Sequence, residues 1–335
     1  MSILTDAGAN ASCLDFSTWP ALAADHSCSP SDLLGDVLKS GWALDVARVS
    51  AGVKSELAAA TSKHARENAW VLSNLQLQSV DDRYVTRAGA NNAHFLLSRV
   101  TAELDAFALA SVKAGAPLNA LGLYQQYHVA AITLASATRK DRAPSPDRAA
   151  QILALEAYAL HFLQDIYSSG HVAGTWGDAA TRKGTHDYYS VNGHADTTWS
   201  GQQITLHGDA HMQKDDLARA SRAIAMSMEQ VFDAAGKGSD AGLAAIDAAG
   251  VVALNSCTEM VQPAPISRRL RCPATDPTRW LGLDSARSSA PSSESPLSEV
   301  QPSALVATVA LGLEPWGSSR SAHALATASR RSSVA

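Results

Sequence analysis

No apolar run in this 335-residue chain reaches the length of a membrane span, which takes about 20 consecutive apolar residues, so no transmembrane segment is expected. Nor is there a basic block. Lys and Arg number 27 against 32 Asp and Glu, for a net charge of −5, and the two signs are interspersed. That argues against a surface built for duplex nucleic acid. Met1–Asp6 has neither the basic start nor the apolar core of a signal peptide. Runs of β-branched residues are scarce while alanine is abundant, which favours an all-α fold. Cysteine is limited to four residues, falling into two local pairs, Cys13/Cys28 and Cys257/Cys272. The even count permits two disulfides and hence an oxidising compartment; four free thiols are the alternative. Cys257 and Cys272 bracket a Pro-containing loop with no helix of its own, where a cross-link is most useful.

What is present is helical periodicity. Apolar residues at three- and four-residue spacings predict helices over 31–47, 51–75, 93–113, 117–137, 147–167 and 213–235. Ser29-Pro30-Ser31-Asp32 has the form of a helix start, a capping hydroxyl followed by proline at the first helical position. These helices are expected to form a multi-helix bundle over residues 1–283. Thr197–Trp199 and Gln203–Leu206, separated by Ser200-Gly201, predict a small β-hairpin. From residue 284 the composition turns to Ser, Ala and Pro, and 284–335 reads as a disordered tail. Only Ala304–Leu313 within it has the makings of a short apolar element.

The most informative stretch begins at His161. The segment before it, AAQILALEAYALHFL, is apolar nearly all round and predicts a helix in the centre of the bundle. His161 and Asp165 lie four apart, on one face of that helix. A buried carboxylate needs a partner, and an ordinary core pair of these two would satisfy it. His171 follows a Ser-Ser-Gly bend, however, and His186 comes after a Gly-containing loop. Three imidazoles and a carboxylate in so short a span make a ligand set suited to zinc, with the site in the core of the bundle. By contrast, His64 lies on a polar face and is expected at the surface. His128 lies on a mostly apolar helix and is expected to be a hydrogen-bonded core residue. His194, His207 and His211 are expected at the surface of the hairpin insertion.

The pattern H-x3-D-x5-H of His161, Asp165 and His171, followed by His186, resembles the zinc-dependent phospholipases C. Their superfamily also holds the single-strand-specific zinc nucleases. The resemblance runs over roughly residues 15–230 and is most specific at 82–94 and 161–186. It implies an all-helical fold and two or three zinc ions. His94, His161 and Asp165 would hold one ion, His171 and His186 a second, and His26 with Asp165 a third. Asp82, twelve residues before His94, resembles the carboxylate that faces the metals and positions or deprotonates the attacking water; its neighbour Asp81 is the alternative. Two departures stand out. Trp19, which matches the family's N-terminal zinc-binding tryptophan, is internal here. The family's last acidic ligand falls on Ser190, for which Asp187, Asp196, Asp209 or a water would have to substitute.

The function so implied is a secreted or periplasmic phospholipase C. It would cleave phosphatidylcholine-type lipids to diacylglycerol and a phosphorylated head group, touching membranes peripherally. A single-strand nuclease or nucleotidase with the same metals is the first alternative, and a catalytically inactive helical binding protein the second. Phe16, Trp19, Trp176, Tyr188, Tyr189 and Trp199 would serve equally to cage a choline ammonium or to stack on a base.

Overall fold

The computed structural model describes residues 2–5, 12–89, 92–99, 101, 103–113, 115–138, 145–175, 182–199, 201–237 and 251–257. The expected tail at 284–335, Cys272 and Trp176 lie outside the described residues. The fold is all-α with small β additions. In chain order the helices are α1 (Trp19–Leu22), α2 (Pro30–Gly35), α3 (Trp42–Ala59), α4 (Lys63–Val80), α5 (Tyr84–Gly89) and α6 (Leu104–Ser111). They continue with α7 (Ala120–Ala137), α8 (Pro146–Ile166), α9 (Ser169–Ala173), α10 (His186–Asn192) and α11 (Lys214–Lys237). No described helix is long and apolar enough to cross a membrane.

Helix α8 is the axis of the molecule, packed by α7, α11, α1 and α2. Ser145 caps its start by accepting from the Arg148 amide, and Pro146 occupies the first helical position. Its apolar girth is then buried all round: Leu155, Tyr158, Phe162 and Leu163 are fully enclosed. Each such side chain contributes on the order of 1.5–3 kcal/mol of burial, which fixes the polar residues of the last turn, His161 and Asp165, in register. Helix α7 starts in the same way, with the Asn119 side chain accepting from the Gly122 amide.

Three boundaries differ from the sequence expectation. The helices expected over 31–47 and 51–75 form instead as α2, α3 and α4, and the expected break at 48–50 lies inside α3. The chain breaks between α2 and α3 and again at Ala60–Ser62, where the Ser62 hydroxyl accepts from the Ala65 amide and starts α4. The expected helix over 93–113 forms only as α6, because the chain at 95–96 is held by distant backbone partners. The Leu96 amide donates to the His171 carbonyl at 3.0 Å, and the Ala120 amide donates to the Phe95 carbonyl at 3.0 Å. The chain before Trp19, for which no element was expected, contains an antiparallel pair, β1 (Ser2–Thr5) with β2 (Ser12–Asp15). The expected hairpin after His186 is present as β3 (His194–Thr197) against β4 (Gln203–Leu206), with Thr197 opposite Gln203. Gly201 supplies the positive φ of 85° that its turn requires.

The expected cysteine pairing is corrected. Cys28 is joined to Cys257, across 229 residues of chain, with their Cα atoms 5.3 Å apart. Residues 251–257 lie against the loop that follows α1, where the Ser256 amide donates to the Cys28 carbonyl at 2.8 Å and Tyr127 donates to the Leu254 carbonyl at 3.0 Å. Proximity in sequence had suggested Cys257–Cys272 and Cys13–Cys28; the fold instead brings the two ends of the domain together.

Candidate metal centre

Five of the seven expected site residues converge at the end of α8. Asp165, buried in the last turn, accepts from His94 Nδ1 at 3.0 Å through its Oδ2. His161 Nε2 lies 3.1 Å from the same His94 nitrogen and 3.7 Å from that carboxylate oxygen. The other oxygen, Oδ1, faces His171 Nε2 at 3.5 Å. His171 Nε2 in turn lies 3.2 Å from His186 Nε2. Asp165 therefore stands between two imidazole pairs, one oxygen turned to each.

Local structure explains how the ligands arrive. Helix α8 ends at Tyr167, and α9 restarts at once with a change of direction, aiming His171 back at Asp165. Helix α10 is tied to α9 by the Thr175–Thr185 bridge, in which the His186 amide donates to the Thr175 carbonyl at 2.9 Å. Gly170 permits this approach. A Cβ there would stand 2.4 Å from Ser190 Oγ and 2.6 Å from His186 Cδ2, so any side chain would push the His186 ring away.

Two carboxylates complete the groups. Asp25 Oδ1 faces His94 Nε2 at 3.8 Å, and the ligand atoms of Asp25, His94 and His161 all lie within 4.8 Å of one another. Asp209 Oδ2 faces His186 Nε2 at 3.4 Å, and Asp209, His171 and His186 form a second group within the same limit. Of the three acids named as substitutes at the Ser190 position, Asp209 is the one that lies with His171 and His186. Ser190 is buried with its Oγ 2.4–2.5 Å from where Cβ atoms on Gly170 and Gly208 would sit, so a longer acid has no room there. Asp187 instead accepts from His186 Nδ1 at 2.8 Å, and Asp196 accepts from the Thr197 amide in the hairpin.

The sequence does not mark Asp25 as a ligand, and it offers Asp209 only as one of three acids for the Ser190 position. Asp209 itself has φ 48°, and Ala24, next to Asp25, has φ 60°. Left-handed backbone costs a non-glycine residue roughly 1–2 kcal/mol, and here it turns each carboxylate toward the imidazoles.

Two expected residues are not brought in. Asp82 is exposed at the turn between α4 and α5, and belongs to neither group. Its neighbour Asp81 is the one turned inward, and it binds Arg87 at 2.6 Å and His26 Nδ1 at 2.8 Å. His26 is buried, stacked on Tyr84 at 5.0 Å between ring centres, and also belongs to neither group. Burial alone would raise the Asp81 pKa; the bonds from His26 and the Arg83 amide, with the Arg87 charge, hold it below the ordinary carboxylate value. This is a buried ion-pair network apart from both groups. Trp19, which matched the family's zinc-binding tryptophan, is buried in the core beside Phe16. Trp199 lies beneath the Arg99 guanidinium, 3.7 Å from its ring centre.

The outlying histidines agree only in part, since His194 and His207, expected at the surface, are half-buried. His64 is exposed and His128 is a buried, hydrogen-bonded core residue. His211, expected at the surface, is buried and bonded to Glu67 at 2.9 Å.

The donor set fits a divalent cation. His161 Nδ1 donates to the Pro20 carbonyl at 3.0 Å and His186 Nδ1 donates to Asp187, which leaves Nε2 as the ligand atom of each ring. These Nε2 atoms point at other imidazole nitrogens 3.1–3.2 Å away. Ligands at about 2.0–2.1 Å from a tetrahedral ion are roughly 3.3 Å apart. The electrostatics divide the imidazoles. Burial opposes a charge on His94 and His186, but Asp165 beside the first and Asp209 and Asp187 beside the second outweigh it and raise both pKa values. Burial, reinforced by the neighbouring His186 and His94, pushes His171 down to about 4 against the pull of Asp165, which keeps its lone pair free. Burial works against the charge of Asp165, but the charges of His171 and His161 and the bond from His94 hold its carboxyl far below the ordinary range. Buried His94 Nε2 and His171 Nδ1 have no hydrogen-bond partner among the described residues.

The comparisons with known proteins identify no family. The chain matches no protein-family model, no curated protein and no solved structure.

Proposed function

We propose that this chain is a zinc-dependent phosphodiester hydrolase whose two ions share Asp165, and that its substrate is a phospholipid of the phosphatidylcholine type. The observation that carries this reading is the disposition of Asp165, with Oδ2 turned to His94 and His161 and Oδ1 turned to His171. One carboxylate reaching two separate imidazole groups is what a two-metal centre requires and what a simple core ion pair does not. His94, His161 and Asp25 would hold one ion with Asp165; His171, His186 and Asp209 would hold the other. When bound, such ions neutralise phosphoryl oxygens and make water acidic enough to ionise near pH 7.

The chain's own residues do the remainder. His161 is oriented by the Pro20 carbonyl and His186 by Asp187, so neither ring has to reorganise during the reaction. Asp25 is the more solvent-accessible of the carboxylates that join a group together with Asp165, with 27% of its side chain exposed. It takes the role first assigned to Asp82, accepting the proton of the attacking water. The water oxygen bonds to phosphorus as the bond to the glycerol oxygen breaks, and that oxygen takes a proton from solvent. The products are diacylglycerol and the phosphorylated head group.

A lipid is favoured over a single-stranded nucleic acid by Val71, Leu72 and Leu75, which lie exposed within just over one turn of α4, and Val85 in the next helix. The acidic net charge points the same way. The test is metal analysis of the purified full chain alongside hydrolysis of short-chain phosphatidylcholine and of single-stranded DNA. Two zinc ions per chain and lipid hydrolysis are expected, with Asp165→Ala losing both ions and activity. DNA cleavage alone would transfer the assignment to a nuclease, and full zinc occupancy in Asp165→Ala would sink the shared-carboxylate centre.

A further inference from the structure

The start of α4, the end of α10 and the loop after β4 enclose an open cavity of about 440 Å³. We infer that the cavity lined by Lys63, Arg66 and the hydroxyl and amide groups around them is a binding site for a phosphate monoester of a small hydroxylated molecule. Lys63 and Arg66 lie three apart on one face of α4 and both line the cavity, and no carboxylate does. Lys63 Nζ donates to Asn192 Oδ1 at 3.0 Å, and Arg66 donates to the Ala210 carbonyl at 2.9 Å. Neither has an acidic partner among the described residues. Arg66 is partly buried, and burial lowers its pKa, so its charge lacks both full hydration and a counter-charge.

The two histidines of the lining are differently placed. His211 is bonded to Glu67, and His207 Nδ1 faces Asp216 Oδ2 at 3.5 Å. Each has an acid behind it, outside the lining. The uncompensated charge therefore belongs to Lys63 and Arg66. It lies at the start of α4, an eighteen-residue helix in which the Ala65 amide is taken by the Ser62 hydroxyl while the amides of Lys63 and His64 have no acceptor within the helix. A tetrahedral oxyanion satisfies both charges and these two amides at once. Of the remaining lining, Thr61, Ser62, Asn192 and Gln213 offer hydroxyl and amide groups, whereas Ala60 and Val191 are the sole apolar members. The volume equals that of roughly fifteen waters at about 30 Å³ each, so a bare phosphate leaves most of it unfilled. A polyol body fits both its size and its polarity.

This inference does not rest on the metal centre. The test is isothermal titration of the full, zinc-loaded chain with glycerol 1-phosphate, inorganic phosphate and glycerol. Wild type is compared with Lys63→Met, Arg66→Met and Lys63→Arg. Any binding of phosphate to the metals is common to all four proteins. Wild type and Lys63→Arg are expected to bind glycerol 1-phosphate at one further site per chain, weakened at least tenfold in both Met variants. Glycerol alone is expected not to bind. Lys63 is exposed, so Lys63→Met is expected to keep the wild-type melting temperature and remain informative if Arg66→Met does not fold. Equal binding by wild type and Lys63→Met would overturn the site. Inorganic phosphate binding as tightly as glycerol 1-phosphate would overturn the hydroxylated body.

Discussion

Which aspartates reach the imidazoles is settled by local backbone more than by sequence neighbours. Asp81 and Asp82 are adjacent and chemically equal, yet the end of α4 turns Asp81 into the His26–Arg87 network and leaves Asp82 in solvent. Asp209 sits in an unremarkable Gly-Asp-Ala-His run, yet its left-handed backbone sets Oδ2 3.4 Å from His186 Nε2. Asp209→Asn is therefore expected to lose about one zinc per chain and at least tenfold in rate. Asp82→Asn is expected to keep its zinc and a rate within about twofold of wild type, because general-base loss, typically worth about 10²–10⁴-fold, does not apply to a side chain away from the centre. Zinc content and short-chain phosphatidylcholine hydrolysis on the same samples check both. A hundredfold loss in Asp82→Asn would return that residue to the mechanism. The histidines were legible, since their spacing on and after one helix is a local property. Asp165 was legible with them, on the same helix face; Asp25 was not, and Asp209 stood only as one of three acids, since both depend on turn conformations that their own side chains do not dictate.

The same division holds for the elements. The starts of α7, α8 and α11 were legible within a few residues, and α8 carries its signal openly in Ser145-Pro146 and an apolar girth. The stretch after His94 was not, because its backbone is claimed by His171 and Ala120 rather than by its own helix. Helices α7, α8 and α11 are also joined by a buried polar network. His128 Nδ1 donates to Glu156 at 2.9 Å, Ser227 donates to the other oxygen of Glu156 at 2.6 Å, and His128 Nε2 meets Gln230 Oε1 at 2.9 Å. Burial opposes a charge on His128, but the charge and hydrogen bond of Glu156, with the bond to Gln230, outweigh it and hold its pKa above the ordinary value. A raised folded-state pKa gives stability that is complete below the unfolded value of about 6.5 and is lost as pH rises through the folded one. His128→Leu is thus expected to cost about 3–5 kcal/mol at pH 6, and less as the pH is raised toward 9. Urea unfolding of both proteins across that range measures the difference, from which contributions common to the two cancel. A difference independent of pH would mean that His128 is neutral in the folded protein.

At the scale of the whole molecule, one covalent link joins the first helical turns to the end of the described domain. In the chain-entropy account, a disulfide closing a loop as long as that between Cys28 and Cys257 stabilises by about 5 kcal/mol, less any strain. Its position gives it a second consequence. Cys28 lies three residues beyond Asp25, in the loop that follows α1, and its carbonyl accepts from both the amide and the hydroxyl of Ser256. The cross-link therefore holds the segment that carries the Asp25 carboxylate to the face of α8, where Pro20 also orients His161. Cys28→Ser is expected to lower the stability of the oxidised protein by several kcal/mol. It should also weaken zinc binding at the His94–His161 group, leaving the His171–His186–Asp209 group, which lies on other segments, near its wild-type affinity. Reduction of the wild type should reproduce both effects, whereas a cysteine that merely filled core volume would leave wild type insensitive to reductant. Peptide mapping without reductant should join the Cys28 peptide to that of Cys257. A Cys257–Cys272 link instead would restore the pairing of sequence neighbours and remove the clamp on Asp25.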